Sequence, residues 1–183
     1  MMEQETELFI EQLRKEDRAA CQRLVGDYGP TVFQMVRRIV ERQEDAEEVW
    51  QDVFVKALRG IGGYDSRKAS LSTWLCRIAY HESLNFVRTR RPDVVYMDEH
   101  DLGLNGLDDA PEESAYNSQT VQALEEALEM LPPHEQAVIT MFYYDNMSLA
   151  DIAYVTGSNP STVGSQLSRI RKKLYRIIKS KHA

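Results

Sequence analysis

Residues 94–117 carry seven acidic side chains and no lysine or arginine, and no helical or strand period runs through them. The stretch Val94-Val-Tyr-Met-Asp-Glu-His-Asp-Leu-Gly-Leu-Asn-Gly-Leu-Asp-Asp-Ala-Pro-Glu-Glu113 mixes Gly, Asn, Pro and acids, so it offers no continuous apolar face and reads as a linker. The chain must therefore fold on either side of it, in residues 1–93 and 118–183. Charge differs between the flanks: 15 basic and 16 acidic residues in the first, 7 and 6 in the second, against −7 for the whole chain. At 183 residues and 43% hydrophobic content, both flanks have material for ordinary cores.

Both flanks show the helical period. Leu8, Phe9 and Leu13 begin one run, and Asp17 caps a second through Leu24 and Tyr28. Gly29-Pro30 is expected to open a separate helix with Val32, Phe33, Val36, Ile39 and Val40 on one side. A third helix is predicted over about 44–58 and a fourth over about 70–88. Beyond the linker, helices near 119–130 and 133–144 are separated by Leu131-Pro132-Pro133, because proline lacks an N–H and clashes with the preceding turn. Sustained strand-like alternation is absent, so the expected fold is all-α: two helical domains on an acidic tether.

The C-terminal end segregates charge most sharply. From Ser161 to Ala183 there are seven basic residues (Arg169, Arg171, Lys172, Lys173, Arg176, Lys179, Lys181) and no acid. Before it, Ser148-Leu-Ala-Asp-Ile-Ala-Tyr-Val-Thr-Gly157 places Leu149, Ile152, Ala153 and Val155 at helical spacing and ends on a glycine able to take positive φ. Ser158-Asn159-Pro160 then reads as cap and first turn, and Val163, Leu167, Ile170, Leu174 and Ile177 repeat along one face. Helix, glycine turn and cationic helix form a helix-turn-helix pattern suited to a DNA major groove. A solvated basic face is the bland alternative for the same residues.

The third helix buries Ala46, Val49, Trp50, Val53, Ala57 and Leu58, leaving Glu47, Glu48, Gln51, Asp52 and Lys56 outside. Phe54 and Val55 extend the apolar surface beyond that stripe, which suits a docking protein. The loop Gly60-Ile-Gly-Gly-Tyr-Asp-Ser-Arg-Lys-Ala69, followed by Trp74, Arg77, Tyr80, His81, Asn85, Arg88, Arg90 and Arg91, joins backbone freedom, aromatic faces and cations. Single-stranded nucleic acid needs that mixture, since unstacked bases lie on aromatic platforms while cations follow phosphates. Trp74 and Ile78, at i and i+4, also fit a bundle core.

Other chemistries find little support. No apolar run is long enough to span a membrane, and the acidic start Met1-Met-Glu-Gln-Glu-Thr-Glu7 does not resemble a signal peptide, so a cytoplasmic protein without membrane insertion is expected. Cys21 and Cys76, and the histidines His81, His100, His134 and His182, are too scattered for a metal cluster or redox pair. No nucleophile–base pair or phosphate loop is evident, so neither catalytic residues nor a cofactor are expected.

Four segments together resemble the bacterial extracytoplasmic-function (ECF) sigma factors. They are Asp45-Ala-Glu-Glu-Val-Trp-Gln-Asp-Val-Phe-Val-Lys-Ala57, Leu71-Ser-Thr-Trp-Leu-Cys-Arg-Ile-Ala79, Leu131-Pro132 with Glu135 onward, and Ser148-Leu-Ala-Asp-Ile-Ala153 with Ser161-Thr-Val163. The resemblance covers nearly the whole chain in the family's order. It implies a first domain that grips the β′ coiled coil of core RNA polymerase through Glu48, Gln51, Asp52 and Phe54. It also implies opening of the minus-10 promoter DNA by Tyr64, Ser66, Arg67, Lys68, Trp74, Arg77, His81, Arg88, Arg90 and Arg91. The second domain would read the minus-35 element with Ser161, Thr162, Ser165, Gln166, Arg169, Lys172 and Lys173 and touch the β flap. The linker would run through the polymerase channels, where its acids suit a path otherwise taken by nucleic acid. An anti-sigma factor is the inhibitory partner that such a protein implies.

The chain departs from the family's pattern in places. Gly164 and Gln166 stand where a basic residue and an arginine are usual, and Cys76 and His81 where an aromatic residue and an asparagine are frequent. Glycine within a helix also costs about 1 kcal/mol relative to alanine. Two other readings compete with the sigma factor: a helix-turn-helix regulator acting without polymerase core, which would bind duplex DNA tightly alone, and a helical adaptor binding only proteins, which leaves the terminal cations without a task.

Overall fold

The computed structural model describes residues 2–90 and 118–182, so the acidic stretch and Arg91 lie outside the described residues. Among those described there are helices and turns but no strands. The first domain holds α1 (Met2–Arg14), α2 (Arg18–Arg37), α3 (Gln43–Gly60) and α4 (Leu71–Arg90). The second holds α5 (Ser118–Glu129), α6 (Pro133–Tyr143), α7 (Leu149–Thr156) and α8 (Pro160–His182).

Local chemistry starts the helices where the sequence places it. Asp17 Oδ1 accepts the Ala20 N–H at 2.9 Å, and Ser70 Oγ accepts the Thr73 N–H at 3.1 Å. Each satisfies a first-turn donor that the helix itself leaves open. In the first domain α2, α3 and α4 pack against one another, burying Leu24, Val32 and Val36 with Ala46, Val49, Val53 and Ala57 and with Leu75 and Ala79. Phe9, Ile10 and Leu13 of α1 add to this core, whereas Leu8 points outward. Each large side chain so buried stabilises by roughly 1.5–3 kcal/mol relative to exposure.

Two expectations change. The break at Gly29-Pro30 does not occur: α2 runs through it, with Pro30 inside the helix. Pro30 and Gly26 are both exposed, so the carbonyl that loses its intrahelical donor can face water. The buried neighbour Gly29 meanwhile presents its carbonyl to Trp50, whose Nε1–H donates at 3.0 Å. Tertiary packing thus keeps continuous a helix that local propensity would divide. Phe54 also moves, from the expected outer face into the core, where it is 5% exposed and meets the Trp50 ring edge-on at a centroid distance of 5.1 Å. The cause is that α3 is flanked by both α2 and α4, so the row Trp50, Phe54, Leu58 is covered as well as the main stripe. Val55 remains 46% exposed.

In the second domain, Pro132 precedes α6 as expected, and Gln136 Nε2 donates to the Leu131 carbonyl at 2.8 Å, closing the turn. The two domains touch. Helix α7 packs on α4, and a bidentate ion pair joins Arg38, just past α2, to Asp145, just past α6, at 2.5 and 2.8 Å.

Gly29 and Gly26 give opposite expectations. A Cβ at Gly29 would stand 3.3 Å from Trp50 Cζ2, so Gly29→Leu should lower stability by about 1–3 kcal/mol in a denaturant titration. A Cβ at Gly26 would meet nothing within 4 Å, so Gly26→Ala should instead raise stability by about 0.5–1 kcal/mol.

Candidate nucleic-acid interface

The helix-turn-helix is built by three short-range devices. Ser148 Oγ accepts the Asp151 N–H at 3.1 Å and starts α7, while Gly157 ends it at φ 76°, a conformation that an L side chain adopts only with strain. Asn159 Oδ1 then accepts the Thr162 N–H at 2.8 Å and starts α8, with Pro160 in its first turn. Ile152, Ala153 and Val155 of α7 are buried together with Val163, Leu167, Ile170 and Leu174 of α8; Leu149, expected inside, is 36% exposed.

Burying that stripe turns the opposite side of α8 outward. Ser161, Thr162 and Ser165 are exposed, and Gln166, Arg169 and Lys172 are half-buried along the same polar side. Arg169 Nε reaches the Ser165 carbonyl at 3.4 Å, which lays the guanidinium along the helix surface. Gly164 has only Leu149 Cδ1 near its Cβ position, at 4.0 Å, so that glycine is not required by crowding. Lys173 is differently occupied. Its Nζ lies 2.9 Å from Glu135 Oε2, and Glu135, in the first turn of α6, is 1% exposed. Position 173 lies at the edge of the apolar stripe, next to buried Leu174, so its stem points toward α6 while its neighbour Lys172 keeps to the outer side.

In the first domain, Glu48, Gln51 and Asp52 lie on the exposed side of α3 beside Val55. Glu48 shares Arg90 with Asp45, the contacts being 3.5 and 3.0 Å; all but Asp45 are largely solvent-exposed, so the cluster is screened and readily exchanged. The loop before α4 is more ordered than its glycines suggest. Tyr64 is buried, its hydroxyl donates to the Ala69 carbonyl at 3.0 Å, and its ring lies 5.3 Å from that of Trp74. It is thus an anchor of the loop, unlike the open stacking platform expected. Burial also raises the Tyr64 pKa. Asp65 accepts from the Arg67 backbone and guanidinium at 3.0 Å, which holds the Asp65 carboxyl down at about 2. Ser66, Arg67 and Lys68 form the exposed crest of this turn.

Along α4, Trp74, Arg77 and His81 line a cavity of about 300 Å³ with Lys56 and Tyr154. Arg77 donates to the Tyr154 carbonyl and lies 5.0 Å from the centre of its ring. Burial, then the Arg77 charge, depresses the His81 pKa, and His81 Nε2 is buried without a hydrogen-bond partner. Arg88 donates to Asn85 and is exposed. Cys76 is 5% exposed, and burial pushes its thiol up to about 11, so it stays protonated and unreactive. Among the described residues no cluster of His, Cys, Asp and Glu could hold a metal, and no helix is long and apolar enough to cross a membrane.

Sequence reasoning gave no role to Arg38, Asp145 or Tyr154, and named Glu135 only as part of a motif. Only Glu135 carried a signal, as an acid two residues after Leu131-Pro132-Pro133 in a first turn. The others matter through partners more than 70 residues away, a separation with no local imprint.

The two lysines of α8 should separate on substitution. Lys173→Ala removes one partner of a buried carboxylate and should lower stability by about 2 kcal/mol, whereas Lys172→Ala should leave the denaturation midpoint nearly unchanged.

The chain matches the family model for Sigma-70 region 2 over residues 24–92 and that for Sigma-70 region 4 over residues 121–174. It is 30% identical over 181 residues to the ECF RNA polymerase sigma-E factor of Haemophilus influenzae, covering 94% of this chain and 95% of that one. With the RNA polymerase sigma factor YlaC of Bacillus subtilis it shares 31% identity over 163 residues, covering 86% and 91%. In fold it is similar to CnrH in complex with the cytosolic domain of CnrY, with a TM-score of 0.65, 21% identity and coverage of 94% and 96%. The sigma factor RpoE, bound to the anti-sigma factor NepR from Bartonella quintana, gives a TM-score of 0.61 at 23% identity, covering 86% and 96%. The first helical domain thus corresponds to region 2 and the second to region 4, and the chain belongs to the family of ECF RNA polymerase sigma factors.

Proposed function

We propose that this chain is a promoter-specificity subunit that binds core RNA polymerase, directs it to promoters and stabilises the melted strand, with no catalysis of its own. The observation that carries this reading is the pairing, in one chain, of a helix-turn-helix whose α8 turns a polar row outward with a region 2 domain. A regulator acting without polymerase would have no use for the second of these. The chain's work with polymerase places it in the cytoplasm, and an anti-sigma factor, as bound to RpoE in the Bartonella structure, is the partner class expected to restrain it.

The roles divide by element. Glu48, Gln51 and Asp52, with exposed Val55, form the α3 surface for the β′ coiled coil; Phe54 supports that surface from within. Ser66, Arg67 and Lys68 on the loop, Trp74, Arg77 and His81 on α4, and Arg88 and Arg90 at its end serve the minus-10 strand, with Arg91 beyond the described residues. Tyr64 acts there by holding the loop. Ser161, Thr162, Ser165, Gln166 and Arg169 face minus-35 bases, Lys172 the phosphates, and Lys173 braces α8 on α6. The second domain also touches the β flap, and the acidic 94–117 segment follows the polymerase channels.

Two measurements test this. Asp52→Arg should reduce copurification with core polymerase at least about tenfold while the far-ultraviolet spectrum stays helical, since a reversed charge faces a surface matched to an acid. Undiminished recovery would remove polymerase binding from α3. Gln166→Arg should shift the preferred base at one minus-35 position from adenine toward guanine in a promoter-library selection, because glutamine pairs bidentately with adenine and arginine with guanine. Identical preferences would show that Gln166 reads no base.

A further inference from the structure

We infer that Glu135 is a positioning residue for minus-35 selectivity: paired with Lys173, its carboxylate fixes the rotation of α8 and so the aim of the side chains assigned above to promoter bases. The consequence for bases rests on that assignment; the fixing of the helix does not.

Among the described residues Glu135 is the one charged side chain that is buried, at 1% exposure. Its place is set within α6 and the turn before it. The Glu135 N–H donates to the Pro132 carbonyl at 2.9 Å, and Gln136 Nε2 closes the same turn on the Leu131 carbonyl at 2.8 Å. The carboxylate therefore projects from a held first turn, at the helix end where the backbone favours a negative charge. Lys173 reaches it from α8, with Nζ 2.9 Å from Oε2, although a lysine side chain 43% exposed could extend into water instead.

The apolar contacts of α8 cannot set its rotation as closely. Val163, Leu167, Ile170 and Leu174 choose the buried side, but burial is nondirectional and tolerates small turns of the helix. Near the start of α8 the packing is open as well, since a Cβ at Gly164 would have only Leu149 Cδ1 near it, at 4.0 Å. A turn of about 10° moves a side chain at the roughly 5–6 Å radius of a helix by about 1 Å. Paired hydrogen bonds to a base edge do not survive such a displacement. Gln166, Arg169 and Lys173 stand at i, i+3 and i+7, on one flank of α8, so anchoring the last of them sets the angle of the first two. An ion pair with a buried partner is weak evidence for stability, and its best attested use is to fix register.

Three variants of the full chain separate positioning from stability and from phosphate binding. Glu135→Leu with Lys173→Met replaces the pair by apolar side chains of similar volume, Glu135→Gln keeps an acceptor without the charge, and Lys173→Arg keeps the pair. The apolar pair should melt no lower than the parent. In relaxation-dispersion NMR of the free chain, amides of residues 161–174 should nonetheless show exchange broadening in the apolar pair and in Glu135→Gln that the parent and Lys173→Arg lack. In a promoter-library selection with core polymerase, discrimination among bases at the minus-35 positions should fall about tenfold for the apolar pair and about threefold for Glu135→Gln, with Lys173→Arg unchanged. Unaltered relaxation in both the apolar pair and Glu135→Gln would overturn the fixing of the helix. Equal weakening on all sequences, with base preferences kept, would place Lys173 on phosphates and overturn the positioning role. Should the apolar pair fail to fold, Glu135→Gln decides both points in the same way. A parent chain with no minus-35 preference would count against the proposed function, and the relaxation result would still decide whether the pair fixes α8.

Discussion

Helix α4 is packed on two sides at once. One side, with Leu75 and Ala79, completes the first core against α2 and α3, and the other receives α7 around Arg77. The two sides obey different physics. The inner one is dry and filled, and its contribution is the nondirectional burial of apolar area. The outer one is partly open, carries aromatic rings, cations and a cavity, and is held by directional contacts that water or nucleic acid could replace. A helix with this division keeps its inner core whatever lies against its outer side.

The same division of labour recurs in α8. Val163, Leu167, Ile170 and Leu174 fix the rotation of the helix, and this rotation alone presents Ser161, Thr162, Ser165, Gln166 and Arg169 as one row. Glu135 and Lys173 fix the helix further along its length. A buried carboxylate is worth keeping only if its charge is met, and the bridge that meets it also ties α8 to α6. The row proposed to face minus-35 bases is thus held in place by residues outside it.

Much of this was legible in the chain. The helix starts at Asp17, Ser148 and Asn159 and the stop at Gly157 are decided by contacts across three or four residues, and the structure shows the side-chain caps and the positive φ in place. The stripes of α3 and α8 were visible because apolar spacing and helical rotation share one period. The proline in α2 misled for an equally physical reason. Local rules charge Pro30 with a lost hydrogen bond, but Trp50 on another helix and a solvated position for Gly26 offset that loss. Phe54 was misplaced because a stripe count assumes one covering neighbour, and α3 has two.

What the sequence determined by itself was the all-α class, the helix-turn-helix with its caps and the acidic division between flanks, each written in short spacings or in composition, and, through the resemblance of four motif segments, the family. What only the tertiary structure decided was which side chains remain available: Tyr64 and Phe54 drawn inward, Lys173 taken by Glu135, Arg77 taken by Tyr154, and Arg38 paired with Asp145 across 107 positions. Availability depends on which elements meet, and the meeting of distant elements is a property of the packed whole that no local window contains.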